Sequence, residues 1–361
     1  MIRSLQLGWF AAFVAALAIV AWLSPAPDHI TDRDTYEATA RMTIVPDCAE
    51  LHCFRVLVPW VLGSLPGSSV AKWKTYAVLC NAAAAVAVFV LCLTWGLSSK
   101  AAGFASVASA FGFGSLFTLY DVFTADPLMY ALGPVVVMLL VRERVAVAGA
   151  IAAVGVMAKE FVAAPLYGFA VASWFEGRRE FGFRVLAAAN FAFIVWLTLQ
   201  LTLILRFNYG YGENPSTHLL SGGYMVPWIV EQSPRGAASA LVNEFGALWI
   251  LAPAGWWAAP ASMRRFAIVA LPVAAVFAYV QQPDRALWNF HFLAAPLAAI
   301  VLDRVPAVLA WSTLGAFAAA NLRVGAQLTA VPPARFALAL SMVLAVASCA
   351  IAWRGQKVGQ T

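Results

Sequence analysis

From end to end the chain alternates long apolar runs with short polar connections. Many of the runs suit a bilayer core of about 30 Å, which takes roughly 20 helical residues to cross. Residues 4–23 form the first run, preceded by Arg3. SPAPD follows, and small residues are present as at a signal-peptide cleavage site. The run is long for a signal h-region, however, and reads as a retained helix. Residues 54–67 (FRVLVPWVLGSLPG) are too short and too interrupted by Pro and Gly to cross, and read as an interfacial or re-entrant segment. Spans follow at 73–97, 101–119 and 127–141. Residues 145–175 divide into two short spans around Lys159 and Glu160, because EGRRE at 176–180 must rejoin the side of Arg142 and Arg144. Runs at 185–206, 237–257, 265–280, 287–302, 305–322 and 336–353 complete a set of about twelve.

The expected fold is thus an all-α polytopic membrane protein with a single transmembrane domain. Residues 24–72 would form a first outer loop with interfacial helices, and 207–235 a second large outer loop. Composition agrees: 63% of residues are hydrophobic and 11% charged, against roughly 25% charged in soluble domains. A β-barrel would instead alternate apolar and polar positions along each strand. The net charge of +6 does not point to nucleic acid, since the basic residues sit in short connections between runs. There they set orientation, because cytoplasmic loops collect Lys and Arg. Both termini then fall on the cytoplasmic side. Only four acids (Glu143, Glu176, Glu180 and Asp303) fall on that side. Acids contribute little to topology, so their crowding outside calls for another cause, and function is one.

The outer polar stretch 28–60 holds Asp28, Asp32, Asp34, Glu37, Asp47 and Glu50. Residues 32, 36 and 40 would share one helical face, while Asp34 points elsewhere. A carboxylate at the membrane surface can act as general base toward an acceptor hydroxyl, or hold a divalent cation through its oxygens. It can equally be a solvated helix start or cap. Asp121 and Asp126 form a second acidic pair at the end of a span, where acids are costly without water, a cation or a base. Asp126, just before Pro127, also fits cap chemistry. Lys159 could bind a phosphate as a compact cation, or pair with neighbouring helices and snorkel. Arg206, His218, Arg235, Arg285 and His291 lie at outer positions; Arg285 is the first choice for an anionic lipid phosphate, which arginine can grip with two donors. Cys48 and Cys53 read as a disulfide in an oxidising compartment. With His52, Asp47 and Glu50 nearby a zinc site is imaginable, but the spacing matches no standard zinc pattern. Cys80, Cys92 and Cys349 read as buried thiols. Tyr209, Tyr211, Tyr224, Trp228, Trp256 and Trp257 read as interfacial belt aromatics, with sugar stacking the alternative for Tyr209, Tyr211 and Trp228.

Asp32-x-x-x-Tyr36-x-x-x-Ala40 after the first span resembles the first outer loop of the GT-C glycosyltransferase superfamily. That superfamily includes bacterial polyprenyl-phosphate-dependent mannosyl-, arabinosyl- and aminoarabinosyl-transferases. TADPLMYAL (124–132) is similar to its second acidic position, VGVMAKEF (154–161) to its small-apolar-Lys-Glu step, and FRVLVPW (54–60) to an Arg-x-Leu-x-Pro segment. The motifs cover roughly the first half of the chain, and no C-terminal soluble domain of the kind many members carry is visible. The resemblance implies an inverting enzyme that moves a sugar from a polyprenyl-phosphate donor to an extracytoplasmic cell-envelope acceptor, a glycan, lipid or protein. Asp32 or Asp34 would be the base. Asp32 fits the tyrosine spacing; Asp34 fits if the helix starts late. Tyr36, Arg55, Asp121, Asp126, Lys159, Glu160, Arg285 and His291 would bind substrate. No cofactor is implied as essential; a divalent cation is the one the loop carboxylates could hold. The resemblance also implies a bacterial inner membrane, with the site facing the periplasm.

Two rival classes fit the same layout. Twelve spans with both ends inside suit a transporter or lipid flippase, and intramembrane charges mark carrier pathways. Against this, no two-half repeat is apparent, and the charges crowd one face. A non-catalytic partner in an envelope complex would tolerate loss of the outer carboxylates.

Overall fold

The computed structural model describes residues 2–27, 32–40, 48, 51–210, 225–280 and 283–358. Asp28, Asp47, Glu50, Tyr211, His218 and Tyr224 lie outside the described residues. Among those described, all regular structure is helical. The chain begins with α1 (Ile2–Leu23), then three short elements: α2 (Arg33–Ala40), a 3-10 turn (Leu51–Phe54) and α3 (Leu57–Gly63). The first bundle is α4 (Ser69–Thr94), α5 (Ser99–Ala110), α6 (Phe113–Tyr120), α7 (Asp126–Val141), α8 (Val145–Gly155), a 3-10 turn (Glu160–Ala163), α9 (Ala164–Phe175) and α10 (Arg179–Phe207). There follow α11 (Met225–Phe245), α12 (Leu248–Trp256), α13 (Ala261–Val280), α14 (Pro283–Trp288), α15 (His291–Leu302), α16 (Ala307–Val324) and α17 (Ala334–Val358).

Seven helical segments are long and apolar enough to cross a membrane, and the bent pair α11–α12 makes an eighth. Four shorter apolar helices (α7, α8, the 160–175 segment and α15) stand where the remaining expected spans fall. The chain is a multi-pass membrane protein. Two expected spans prove broken. Residues 99–120 part at Gly112, where the Trp288 indole lies so close to Gly112 and Gly114 that neither could carry a Cβ. Residues 225–256 bend by 68°, at Gly246, whose φ of +42° lies outside helical space.

Small residues bring the first bundle together. α4 packs on α1, α5 and α7, and Ala77, Ala82, Ala84, Ala85, Ala102 and Ala105 are fully buried there. Ser106 Oγ donates across to the Ala85 carbonyl at 2.7 Å. Asn81 Nδ2 donates to Thr118 Oγ1 at 2.9 Å, a second polar tie between helices of the bundle. The outward face of α10 carries exposed Phe183, Phe191, Ile194, Leu201 and Leu205, as lipid contact requires.

The turns at one end form a chain of polar contacts. Arg142 Nη2 donates to Thr94 Oγ1 at 3.0 Å. Glu143 pairs with Arg178 at 2.6 Å, Glu176 with Arg265 at 3.3 Å, and Lys100 Nζ donates to the Asp303 carbonyl at 2.9 Å. These residues belong to the turns that the basic-loop pattern groups on one side. α4 and α7 run parallel: Tyr76 meets Ala125 and Leu128 near their starts, Thr94 meets Arg142 at their ends.

Candidate active site

At the opposite end, the first loop, the start of α7, the α8–α9 connection and α14 converge. Tyr76 sets their register. Its hydroxyl donates to the Ala125 carbonyl at 3.1 Å and accepts from Leu128 N at 3.1 Å. Tyr76 lies seven residues into α4, so the start of α7 is recessed by roughly 10 Å from the end of that helix.

α7 begins at Asp126, one residue before the expected Pro127, and its N-cap Ala125 makes no side-chain cap bond. The carboxylate is used elsewhere. It is fully buried; Oδ1 accepts from Lys159 Nζ, and Oδ2 accepts from Arg285 Nε at 3.1 Å and Nη2 at 2.8 Å. Arg285 Nη2 also donates to Thr124 Oγ1 at 3.1 Å. Thr124 Oγ1 in turn accepts from Asp126 N at 3.3 Å. Lys159 is buried too, held in extended backbone just before the 3-10 turn, with its ammonium 5.5 Å from the Phe161 ring centre. The Arg285 side chain keeps 20% exposure. Burial works against its charge, and Asp126 more than restores it.

The described parts of the first loop pack beside this trio. α2 lays Tyr36 and Thr39 inward. Tyr36 stands 5.1 Å from the Trp73 ring, and Trp73 is 5.4 Å from Phe123. At the helix end a Cβ on Gly63 of α3 would run into the Ala40 carbonyl, so α2 and α3 touch backbone to backbone. Burial, opposed by Arg55, raises the Tyr36 hydroxyl to about 12. Arg55, buried, pairs with Glu160 at 3.4 Å. Leu57 N donates to the Met157 carbonyl at 3.2 Å. Burial counts against the Arg55 charge too, and Glu160 and Tyr36 outweigh it.

Asp32 immediately precedes α2, and its carbonyl accepts from Tyr36 N at 3.1 Å. Its Oδ2 lies 3.1 Å from His52 Nε2, with 17% of the Asp32 side chain exposed. Asp34 sits in the first turn on the exposed side of the helix. Asp121, following α6, feels the charges of Arg285, Asp32 and Asp126. Burial raises its carboxyl to about 6, with Arg285 opposing and the two other acids adding.

The structure therefore brings Asp32, Tyr36, Arg55, Asp121, Asp126, Lys159, Glu160 and Arg285 together. It leaves two others apart. Asp34 faces away because the helix starts at Arg33. His291, buried at the start of α15, bonds through Nδ1 to the Trp288 carbonyl at 3.2 Å and lies against Trp288 and Tyr130. Arg206 and Arg235 are exposed; Tyr209 is buried against Phe54 at 5.3 Å. Cys48 and Cys53 form a disulfide. Among the described residues no three His, Cys, Asp or Glu side chains stand together as a metal site, and both Asp126 oxygens are taken up by cations. His52 was legible only as a neighbour of the cysteine pair; nothing in its spacing pointed to Asp32.

No protein-family model matches the chain, and no curated protein matches it. Solved structures do. One is ArnT from Cupriavidus metallidurans bound to undecaprenyl phosphate: 15% identical, TM-score 0.53, with 96% of this chain and 76% of that one covered. Another is an Archaeoglobus fulgidus oligosaccharyltransferase, tethered through a disulfide bond to an acceptor peptide containing the NVT sequon. It is 13% identical with a TM-score of 0.44, and this chain covers 95% of itself but about half (55%) of that protein. The likeness to ArnT shows that the two chains share a fold.

Proposed function

We propose that the protein is a membrane glycosyltransferase that moves a sugar from a polyprenyl-phosphate donor to a cell-envelope acceptor. The site would face the periplasm, with both termini cytoplasmic. The observation that carries this reading is the trio in which Asp126 holds Lys159 and Arg285 at one end of a fold shared with ArnT. One carboxylate between two cations leaves a net positive, preorganised pair, which suits an anionic lipid phosphate. Arg285 Nη1 takes no part in the bonds to Asp126 and Thr124, and in this reading it is the donor that meets a phosphate oxygen. The undecaprenyl phosphate bound to ArnT supports the same donor class.

Asp32 is the base in this reading, being the loop carboxylate turned toward the cluster. It takes the proton as the acceptor O–H bond breaks and the new oxygen–C1 bond forms. The C1–phosphate bond breaks, and polyprenyl phosphate leaves with the electron pair, its charge met by Arg285 and Lys159. A phosphate monoester leaves without acid assistance, so one base suffices. Inversion at C1 follows from direct displacement. Tyr36, Arg55, Asp121 and Glu160 stand as further candidates for substrate binding.

The test is turnover by the purified protein in nanodiscs. It would be given radiolabelled undecaprenyl-phosphate mannose, arabinose or aminoarabinose together with envelope extract as acceptor. Release of undecaprenyl phosphate with label passing to the extract is expected for one donor. No release from any polyprenyl-linked sugar sinks the reading, and movement of intact lipid across the bilayer without cleavage would favour a flippase.

A further inference from the structure

His52 lies in the 3-10 turn Leu51–Phe54, inside the loop closed by the Cys48–Cys53 disulfide. Three further ties hold that loop. The Cys48 carbonyl accepts from Gly210 N at 2.9 Å, beyond the end of α10. The His52 carbonyl accepts from Arg55 N at 3.1 Å, and Arg55 is itself paired with Glu160. Cys53 and Phe54 are buried with Leu203 and Tyr209. The imidazole meets the Tyr36 ring edge-on at 5.5 Å and places Nε2 3.1 Å from Asp32 Oδ2. A turn clamped this firmly, with one polar side chain aimed at one carboxylate, is more than loop packing needs.

We infer that His52 is a positioning residue whose Nε2–H donates to Asp32 Oδ2 and fixes the orientation in which that carboxylate meets the acceptor hydroxyl. The inference rests on the transferase reading with Asp32 as base. An ionised carboxylate only accepts hydrogen bonds, so the contact selects the Nε2–H tautomer. Burial, reinforced by Arg55, Arg285 and Lys159 and opposed by Asp126, holds His52 down to about 3, leaving it neutral at physiological pH. Neutrality matters here. An imidazolium beside Asp32 would lower the basicity of the carboxylate, whereas a neutral N–H orients it and leaves its charge intact.

The experiment compares His52→Ala and His52→Gln in the full-length protein in nanodiscs, using the donor that wild type turns over. His52→Ala is expected to lower kcat by about 10- to 100-fold, the scale of a misoriented reacting group, with KM for donor within about twofold. His52→Gln, whose amide can still donate, is expected to recover most of kcat. Unchanged kcat in His52→Ala overturns the inference. So does a loss that glutamine does not rescue and that tracks a fall in thermal stability, since that marks a structural role. A second arm needs no turnover: the 15N signals of His52 at pH 7 are expected to report the neutral Nε2–H tautomer and to move in Asp32→Asn. Signals that do not move overturn the pairing. Wild-type protein that transfers no sugar fails the transferase reading itself, and the positioning role with it. Active wild type with indifferent His52 variants fails this inference alone.

Discussion

Arg285 and Asp126 lie 159 positions apart in the chain and meet through two hydrogen bonds on one carboxylate oxygen, at 3.1 and 2.8 Å. The other oxygen takes Lys159. Asp126→Asn therefore leaves two cations facing each other in a buried site. Breaking a buried pair by removing one partner costs about 3–5 kcal/mol, so a large fall in the detergent unfolding midpoint is expected, together with loss of turnover. Asp126→Asn with Lys159→Met should regain part of the stability and none of the activity. Equal stability of the two variants would show that charge balance is not what Asp126 supplies.

Tyr76 ties the start of α7 to α4 through a donated and an accepted bond. Tyr76→Phe strands the Ala125 carbonyl and the Leu128 N–H. The expected cost is about 1–3 kcal/mol by chemical unfolding. A drop in kcat greater than the drop in folded fraction is also expected, because Asp126 begins that same turn. Wild-type kinetics in Tyr76→Phe would uncouple the register of α7 from the site.

Asp121 gives a pH signature. Its folded pKa, about 6, stands above the ordinary 3.8, so the folded state favours the protonated form. That contribution is fully present below about 3.8 and is lost as pH rises through about 6. Thermal unfolding of wild type and Asp121→Asn from pH 4 to 7 is expected to diverge, with the asparagine variant gaining relative stability as pH rises. Parallel profiles would show that Asp121 titrates as it does in water.

Gly114 has the Trp288 indole where a Cβ would stand. Gly114→Val is expected to cost at least the 1–3 kcal/mol typical of overpacking, read as a lowered unfolding midpoint and reduced yield. A Gly114→Val/Trp288→Leu variant, with room restored, should recover part of it. Normal stability in Gly114→Val alone would mean that the α5–α6 break does not depend on Trp288.

Helix positions were legible because apolar runs end at charged turns: Lys100, Arg142–Arg144 and Arg264–Arg265 mark one end of the bundle as read from sequence. The break at Lys159–Glu160 was legible because EGRRE must return to the side of Arg142 and Arg144, and two charges divide the run before it. The break at Gly112 was not, since the tryptophan packed against it comes from a distant helix. At the site, individual residues stood out as charges at span ends, but their pairing did not. Asp126 reads equally well as a helix cap until Lys159 and Arg285 are seen on its oxygens. His52 carries no sequence signal for Asp32, because a 3.1 Å contact made by a disulfide-closed turn depends on tertiary packing alone.

The central claim is that Asp32 takes the acceptor proton, and Asp34, two positions on, is its internal control. The measurement is kcat for sugar release from the polyprenyl-phosphate donor in Asp32→Asn and Asp34→Asn, at matched folded protein in nanodiscs. A loss of about 100-fold or more is expected for Asp32→Asn, the scale of a general base. Asp34→Asn, on the exposed side of α2, is expected to stay within about threefold of wild type. The opposite pattern would move the base to Asp34, and near-wild-type rates in both variants would contradict a loop carboxylate as the base.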